Sequence, residues 1–283
     1  MNSLRHIDLK MPTTWDDLTR GQLLYVCRLF RLKLSEFNFK LSIFIRFTGI
    51  TAMPVRKVAG QVYYAFRKNG QVFWVSIDEL YCFIGSANFL CSDSHLTKNL
   101  FPVFTFPFRR FYGPSAKCYN ITLLEFIHAE TALFRFHTTH HAKHLLTLCT
   151  ILYRRQAKGY NPTAPDYNGD RREQFNDYTF QRRARWFKLL HPNRMYAVYV
   201  FYTGCRNAIM KAYPEVFGGS GGTVSSEPVN PIEDLKRLIT TLTNGDVTKR
   251  EKIENTRVHA AFGQLNDMAV AHREAMRQIK KKK

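Results

Sequence analysis

Apolar residues recur at helical spacing through most of this chain, and the points where that spacing starts and stops carry end signals. In "DLTRGQLLYV", Thr19 and Gln22 form a capping box, each placed to satisfy an otherwise orphaned backbone N–H, and Leu18 and Leu23 take the hydrophobic-staple positions. The pattern predicts a helix from about Arg20 to Leu32. Ser35 as N-cap and Gly49 as stop bound a second helix, so the chain opens on a helical hairpin. The period then changes. "VYYAFRKNGQVFWVS" places two β-rich runs around Asn69-Gly70, a dipeptide that supplies the positive φ angles of a tight turn, which predicts a β-hairpin over about 61–76. Ser76 and Glu79 cap a short helix reaching Phe83.

Residues 85–120 show no clear period. Pro102, Pro107 and Pro114 interrupt a Phe-rich run that reads as an irregular connection, partly buried by its rings. Helical spacing returns at Thr122, which forms a capping box with Glu125, while Ile121 and Phe126 form a staple; this helix reaches about His137. The strongly apolar "AKHLLTLCTILYRR" is a second core helix, "KGYNPTAPDYNGD" is a loop, and a basic helical pair spans 173–213 with a break at His191-Pro192. Glycine and serine then dominate, and 218–229 reads as a flexible linker. Beyond it, Asn230-Pro231 opens a helix that Asn244-Gly245 ends, and Thr248 with Glu251 caps a final helix reaching Lys280. The expected architecture is mainly α. A multi-helix core domain over 1–217 carries the small hairpin, and a two-helix arm with a basic tail occupies 230–283.

The final helix has a heptad-like seam of Val258, Phe262, Leu265, Ala269, His272, Met276 and Ile279. Such a seam closes on its own hairpin partner, 231–243, or docks on another subunit. If the arm is independent, deleting 229–283 leaves a folded core and abolishes partner capture.

Charge changes the picture more than composition does. Lys and Arg number 42 against 22 Asp and Glu, a formal charge of +20 that attracts nucleic acid or other polyanions. The candidate contact is the segment holding Arg171, Arg172, Arg182, Arg183, Arg185, Lys188 and Arg194, interleaved with aromatic rings. Phe180, Ala184 and Phe187 share one helical stripe, so the rings read as core and the arginines as a solvated face.

Histidines 137, 140, 141 and 144 are spaced i, i+3, i+4, i+7. Pairs at i, i+4 are the spacing zinc uses, yet four in one helical row spread over about 10 Å and cannot meet at one ion. Thr138 and Thr139 break the helical phase here, and the stretch reads as a solvent-facing turn between two core helices. No phosphate-binding glycine loop, nucleophile elbow or paired acidic nuclease motif is present. The carboxylates are sparse and read mostly as helix caps. The six cysteines are widely spaced and mostly in apolar surroundings, as buried free thiols are in a reducing compartment. The expectation is a non-catalytic intracellular protein that needs no cofactor and no membrane.

Several phrases form a recognisable set: "MPTTWDDLTRGQLLYVCRLF", "FYGPSAKCYNITLLEFIHAE", "TILYRR", "GDRREQF" and "YPEVF". Together they resemble uncharacterised proteins carried by tailed phages and prophages of gut bacteria, over most of the chain to about residue 217. The resemblance implies a morphogenesis role, tail assembly included, in the host cytoplasm, with other phage or prophage proteins as partners. It brings no catalytic signature and assigns no functional residue.

Overall fold

The computed structural model describes residues 9–58, 60–165, 167–176, 178–217, 239–240, 242–243 and 246–282. They group into two compact units, Met1–Ser94 and His95–Lys283, so the division falls near residue 94 and the final helix belongs to the second unit. The linker expected at 218–229, the helix start at Asn230-Pro231 and the stop at Asn244-Gly245 lie outside the described residues.

The first unit begins with helix α1 (Arg20–Phe30) and helix α2 (Glu36–Thr48). The Thr19 backbone N–H donates to Gln22 Oε1 at 2.8 Å, completing the capping box, and α2 ends at Gly49, whose φ is 68°. Three antiparallel strands follow in the order β1 (Thr51–Val58), β2 (Gln61–Lys68) and β3 (Gln71–Ser76). Asn69 and Gly70, at φ 50° and 79°, turn β2 into β3. Strand β1 was not among the expected elements, and its Pro54 lacks the N–H a ladder needs. The chain accommodates it where the register shifts between Met53 and Arg56, on an edge strand. Helix α3 (Ile77–Gly85) starts from the Ser76–Glu79 box. One face of the sheet packs on the helices through a core of Phe44, Ile50, Phe66, Val75, Leu80 and Ile84.

The second unit is mainly helical. Its residues 103–112 form a hairpin, β4 (Val103–Phe106) and β5 (Arg109–Tyr112), where an irregular connection was expected. The turn is Pro107-Phe108, and Phe108 sits at φ 60°, a conformation no sequence rule assigns to phenylalanine. Phe104, Phe106 and Phe111 are core, whereas Phe108 is exposed: Phe104 lies 4.5 Å from Tyr153 and Phe111 lies 5.2 Å from Phe187, centroid to centroid.

Helix α4 (Leu123–Thr139) and helix α5 (Ala142–Leu152) pack as a pair. The expected basic helical pair over 173–213 is shorter at its front. A 3-10 turn at Phe180–Arg183 and helix α6 (Ala184–Phe187) precede helix α7 (Pro192–Ala212). Residues 171–173 are extended because they pair with 155–157: Ala157 N–H donates to the Arg171 carbonyl and Glu173 N–H to the Arg155 carbonyl. Helix α8 (Pro214–Phe217) follows.

The last expected helix is also interrupted. A 3-10 turn at Val247–Lys249 leads into Arg250–Glu254, and Thr248 does not cap it as expected, since its hydroxyl donates to Asp246 Oδ1 at 2.6 Å; the helix then breaks and resumes as Val258–Lys282. At the break, Leu123 N–H donates to the Thr256 carbonyl and Val258 N–H to the Ile121 carbonyl. A strand-like bridge between Thr122 and Arg257 thus covers the start of α4.

Two further features lock α7 in place. Glu130 on α4 accepts from the Tyr202 hydroxyl at 2.8 Å and from Arg206 Nε at 2.7 Å. Gly204 lets the helix lie directly against the backbone of Leu96, where an added Cβ would sit 2.3 Å from the carbonyl oxygen.

Candidate functional site

A cleft of about 590 Å³ opens in the second unit where the ends of α4 and α5 meet the 157–172 loop and the break in the final helix. Its volume is in the range of small-molecule sites. Four cations line it: Arg154, Lys158, Arg172 and Arg257. Among the described residues Asp170 is the carboxylate on its wall, and Glu125 lies behind it, fully buried.

Each charged group arrives by a different route. Glu125 is in the first turn of α4, and Thr122 caps it as predicted, its hydroxyl accepting from Glu125 N–H at 3.2 Å. The Glu125 carboxylate does not complete a capping box. It accepts from Arg172 Nη1 at 2.7 Å and Arg154 Nη2 at 2.8 Å. Arg154 comes just past the C-terminus of α5. Arg172 reaches inward from the strand-like pairing of 171–173, where its Nη1 also donates to the Leu152 carbonyl at 2.8 Å and so covers a free end of α5. Asp170 accepts from Arg172 Nε at 2.9 Å and from Arg154 and Arg257, each at 3.4 Å. Arg257 is delivered by the helix break and is held by the Asn168 carbonyl at 2.9 Å and by the Asn120 carbonyl.

The network therefore sets three guanidinium groups against two carboxylates. Arg154 is 1% exposed, and among the described residues its Nε has no hydrogen-bond partner. Burial lowers the Arg154 pKa to about 10; Glu125 opposes this and the neighbouring Arg172 charge adds to it. Burial works against Arg172 as well, but Glu125 and Asp170 raise it above its ordinary value. For Asp170, burial pushes upward and is outweighed by the hydrogen bond and charge of Arg172, with Arg154 behind, so the carboxyl titrates below its ordinary 3.8. Arg154 therefore carries its charge in a buried position on the cleft wall. One wall is aromatic: Tyr160 and Tyr167 lie edge to face at 5.6 Å, and Arg171 sits over the rings of Tyr112 and Tyr160 at 4.2 and 5.0 Å.

The arginine segment read as a nucleic-acid contact is split by the fold. Arg172 belongs to the buried network. Arg183 is also buried, donating to the Thr150 carbonyl at 3.0 Å and to Glu173 at 2.9 Å, so neither is part of a solvated face. Arg171, Arg182, Arg185, Lys188 and Arg194 are exposed. Phe180 and Phe187 are buried, matching the core stripe. The cleft cations Arg154, Lys158 and Arg257 lay outside the segment, and no sequence motif marks them as a group.

The histidines occupy the α4–α5 turn. His137 lies on α4 against Tyr199 at 5.9 Å, His140 takes a left-handed φ of 54°, His141 is the N-cap of α5, and His144 follows on it. Burial and the Arg206 charge lower the His137 pKa. Among the described residues no three His, Cys, Asp or Glu side chains converge to hold a metal ion.

The seam of the final helix divides in two. Val258, Phe262 and Leu265 are buried in the second unit, with Phe262 5.3 Å from Phe126 and 5.0 Å from Phe217. Ala269 is half-buried, and His272, Met276 and Ile279 are exposed. Deleting 229–283 would therefore strip core residues from the second unit. Among the described residues no helix is long and apolar enough to cross a membrane. No family model, curated protein or solved structure matches this chain.

Proposed function

We propose that this chain is a non-catalytic binding protein whose cleft takes a phosphate-bearing polyanion, with nucleic acid as the physiological class. One observation carries the reading: among the described residues, three guanidinium groups meet two carboxylates at an open cleft that Lys158 also lines. A phosphate entering there would supply the missing negative charge, and guanidinium donors suit its oxygens. The formal charge of +20 draws such a ligand in. Glu125 and Asp170 are committed to arginines and have no role left in proton transfer. A basic, non-catalytic binder fits the morphogenesis setting implied by the resemblance to tailed-phage proteins.

Calorimetric titration of the full chain with tripolyphosphate tests this. Lys158→Ala and Arg257→Gln should each weaken binding about tenfold, roughly 1.4 kcal/mol for one charge-assisted contact. Binding should weaken as salt rises, and less steeply in each variant than in the parent protein. Unchanged affinity in both variants would overturn the reading.

A second reading, docking of a phage partner by the far half of the final helix, is favoured by the exposure of Met276 and Ile279 at 45% and 53%. Ending the chain after Ala269 should leave the thermal midpoint within about 2 °C, because the buried Val258, Ala261, Phe262 and Leu265 remain. Capture of the partner should be lost; persistence of capture would remove the helix from that role.

A further inference from the structure

The first unit has a sheet with one face packed and one face open, and the open face has its own chemistry. The pleat puts Phe66 and Val75 inward, into the core with Phe44 and Leu80, although Ala65 on the other face is buried too. The outward set follows from the register: Arg56 pairs with Tyr63, Tyr63 with Ser76, Ala65 with Trp74, and Arg67 with Val72. Trp74 is 41% exposed and Val72 44%, while Arg56 and Arg67 are exposed. The Arg56 guanidinium lies over the Trp74 ring at 4.9 Å. Tyr63 is diagonal to Trp74 across β2 and β3, within reach for long aromatic side chains.

Charge on this sheet has one sign. Residues 51–76 contain Arg56, Lys57, Arg67 and Lys68 and no Asp or Glu. The nearest downstream carboxylates are Asp78 and Glu79, and Glu79 is engaged by the Ser76 backbone N–H and hydroxyl. An exposed tryptophan and a half-buried tyrosine beside arginines present π surfaces next to cations. That pairing suits unstacked bases on a phosphate backbone. A duplex hides its base faces, and a polyphosphate would use the cations alone and leave the rings without a partner.

We infer that the outer face of the β1–β2–β3 sheet is a stacking platform for single-stranded nucleic acid, with Trp74 and Tyr63 receiving bases and Arg56 and Arg67 holding phosphates. This face belongs to the first unit and does not depend on the cleft of the second.

The test titrates the full-length protein with a fluorescein-labelled dT20 oligonucleotide, following anisotropy and, with unlabelled dT20, tryptophan emission. Stacking should quench the Trp74 emission, a change absent in Trp74→Phe. That variant should keep affinity within about twofold, whereas Trp74→Leu should lose about tenfold, the effect of one base–aromatic stack. Trp74 is exposed, and matching circular dichroism and thermal midpoints would show that both variants fold. Single-stranded competitor should displace the probe at lower phosphate concentration than duplex or polyphosphate. Equal affinity of Trp74→Leu and wild type, absence of Trp74 quenching, or equal competition by polyphosphate would each overturn the inference. Binding to phosphatidylglycerol vesicles but not to dT20 would overturn it in favour of a membrane surface.

Discussion

Replacing Glu125 with alanine should unfold the second unit or come close to it. Its carboxylate is fully buried and accepts from both Arg172 and Arg154, so its loss leaves two buried guanidinium groups facing Asp170 alone. Removing one partner of a buried pair costs about 3–5 kcal/mol, against a total stability of about 5–15 kcal/mol for a typical domain. The magnitude separates two roles for this residue. A carboxylate acting only as the third residue of a helix cap would cost about 1 kcal/mol, as Thr122→Ala should. Urea denaturation followed by circular dichroism measures both variants. A loss near 1 kcal/mol for Glu125→Ala would show that the network does not depend on it.

The same network should make the unit acid-sensitive. Asp170 titrates below its ordinary 3.8, so the folded state favours its ionised form. Its contribution is fully present above the unfolded value and is lost as pH falls through the lower folded one. Asp170→Asn should flatten the stability profile across that acid window.

Gly204→Ala should be the other severe substitution, and its sign is the opposite of what helix propensity predicts. In an exposed helix interior, alanine gains up to about 1 kcal/mol over glycine. Here the new methyl carbon would lie 2.3 Å from the Leu96 carbonyl oxygen and 2.5 Å from its nitrogen. Those are backbone atoms, with no rotamer to move away. Helix α7 must shift, and the buried Tyr202 and Cys205 beside Gly204 shift with it. We expect a loss of about 3 kcal/mol or more, the upper end for overpacking. Gly21→Ala, on α1 with nothing within 4 Å of the added carbon, should be neutral or mildly stabilising. A neutral Gly204→Ala would mean that α7 does not rest on the Leu96 segment.

The helix starts were legible because capping is local. Thr19, Ser35, Ser76 and Thr122 each accept from the backbone N–H three residues on, and that geometry needs only the residues in the motif. Asn69-Gly70 turns the chain for the same kind of reason. The strand around Pro54 and the turn at Phe108 were hidden, since each sets aside a local preference for a tertiary pairing. The cleft was hidden more deeply. Glu125 carries the spacing of a cap residue, and nothing near it in sequence shows that Arg154 and Arg172, 29 and 47 positions away, will claim its oxygens. The arginine-rich segment drew attention by density, yet two of its members, Arg172 and Arg183, are buried supports.

By itself the sequence determined where four helices begin, which residues prefer the interior, that the chain carries a large excess of positive charge, and where one tight hairpin turns. These depend on short-range hydrogen bonding, side-chain hydrophobicity and counting. Only the tertiary structure decided which arginines are structural and which face a cleft, where the final helix breaks to deliver Arg257, and which half of its seam stays open. A charge is defined by what surrounds it after folding. Burial and opposing carboxylates arrive from distant segments, and they turn one residue type into a cap, an anchor or a binding group.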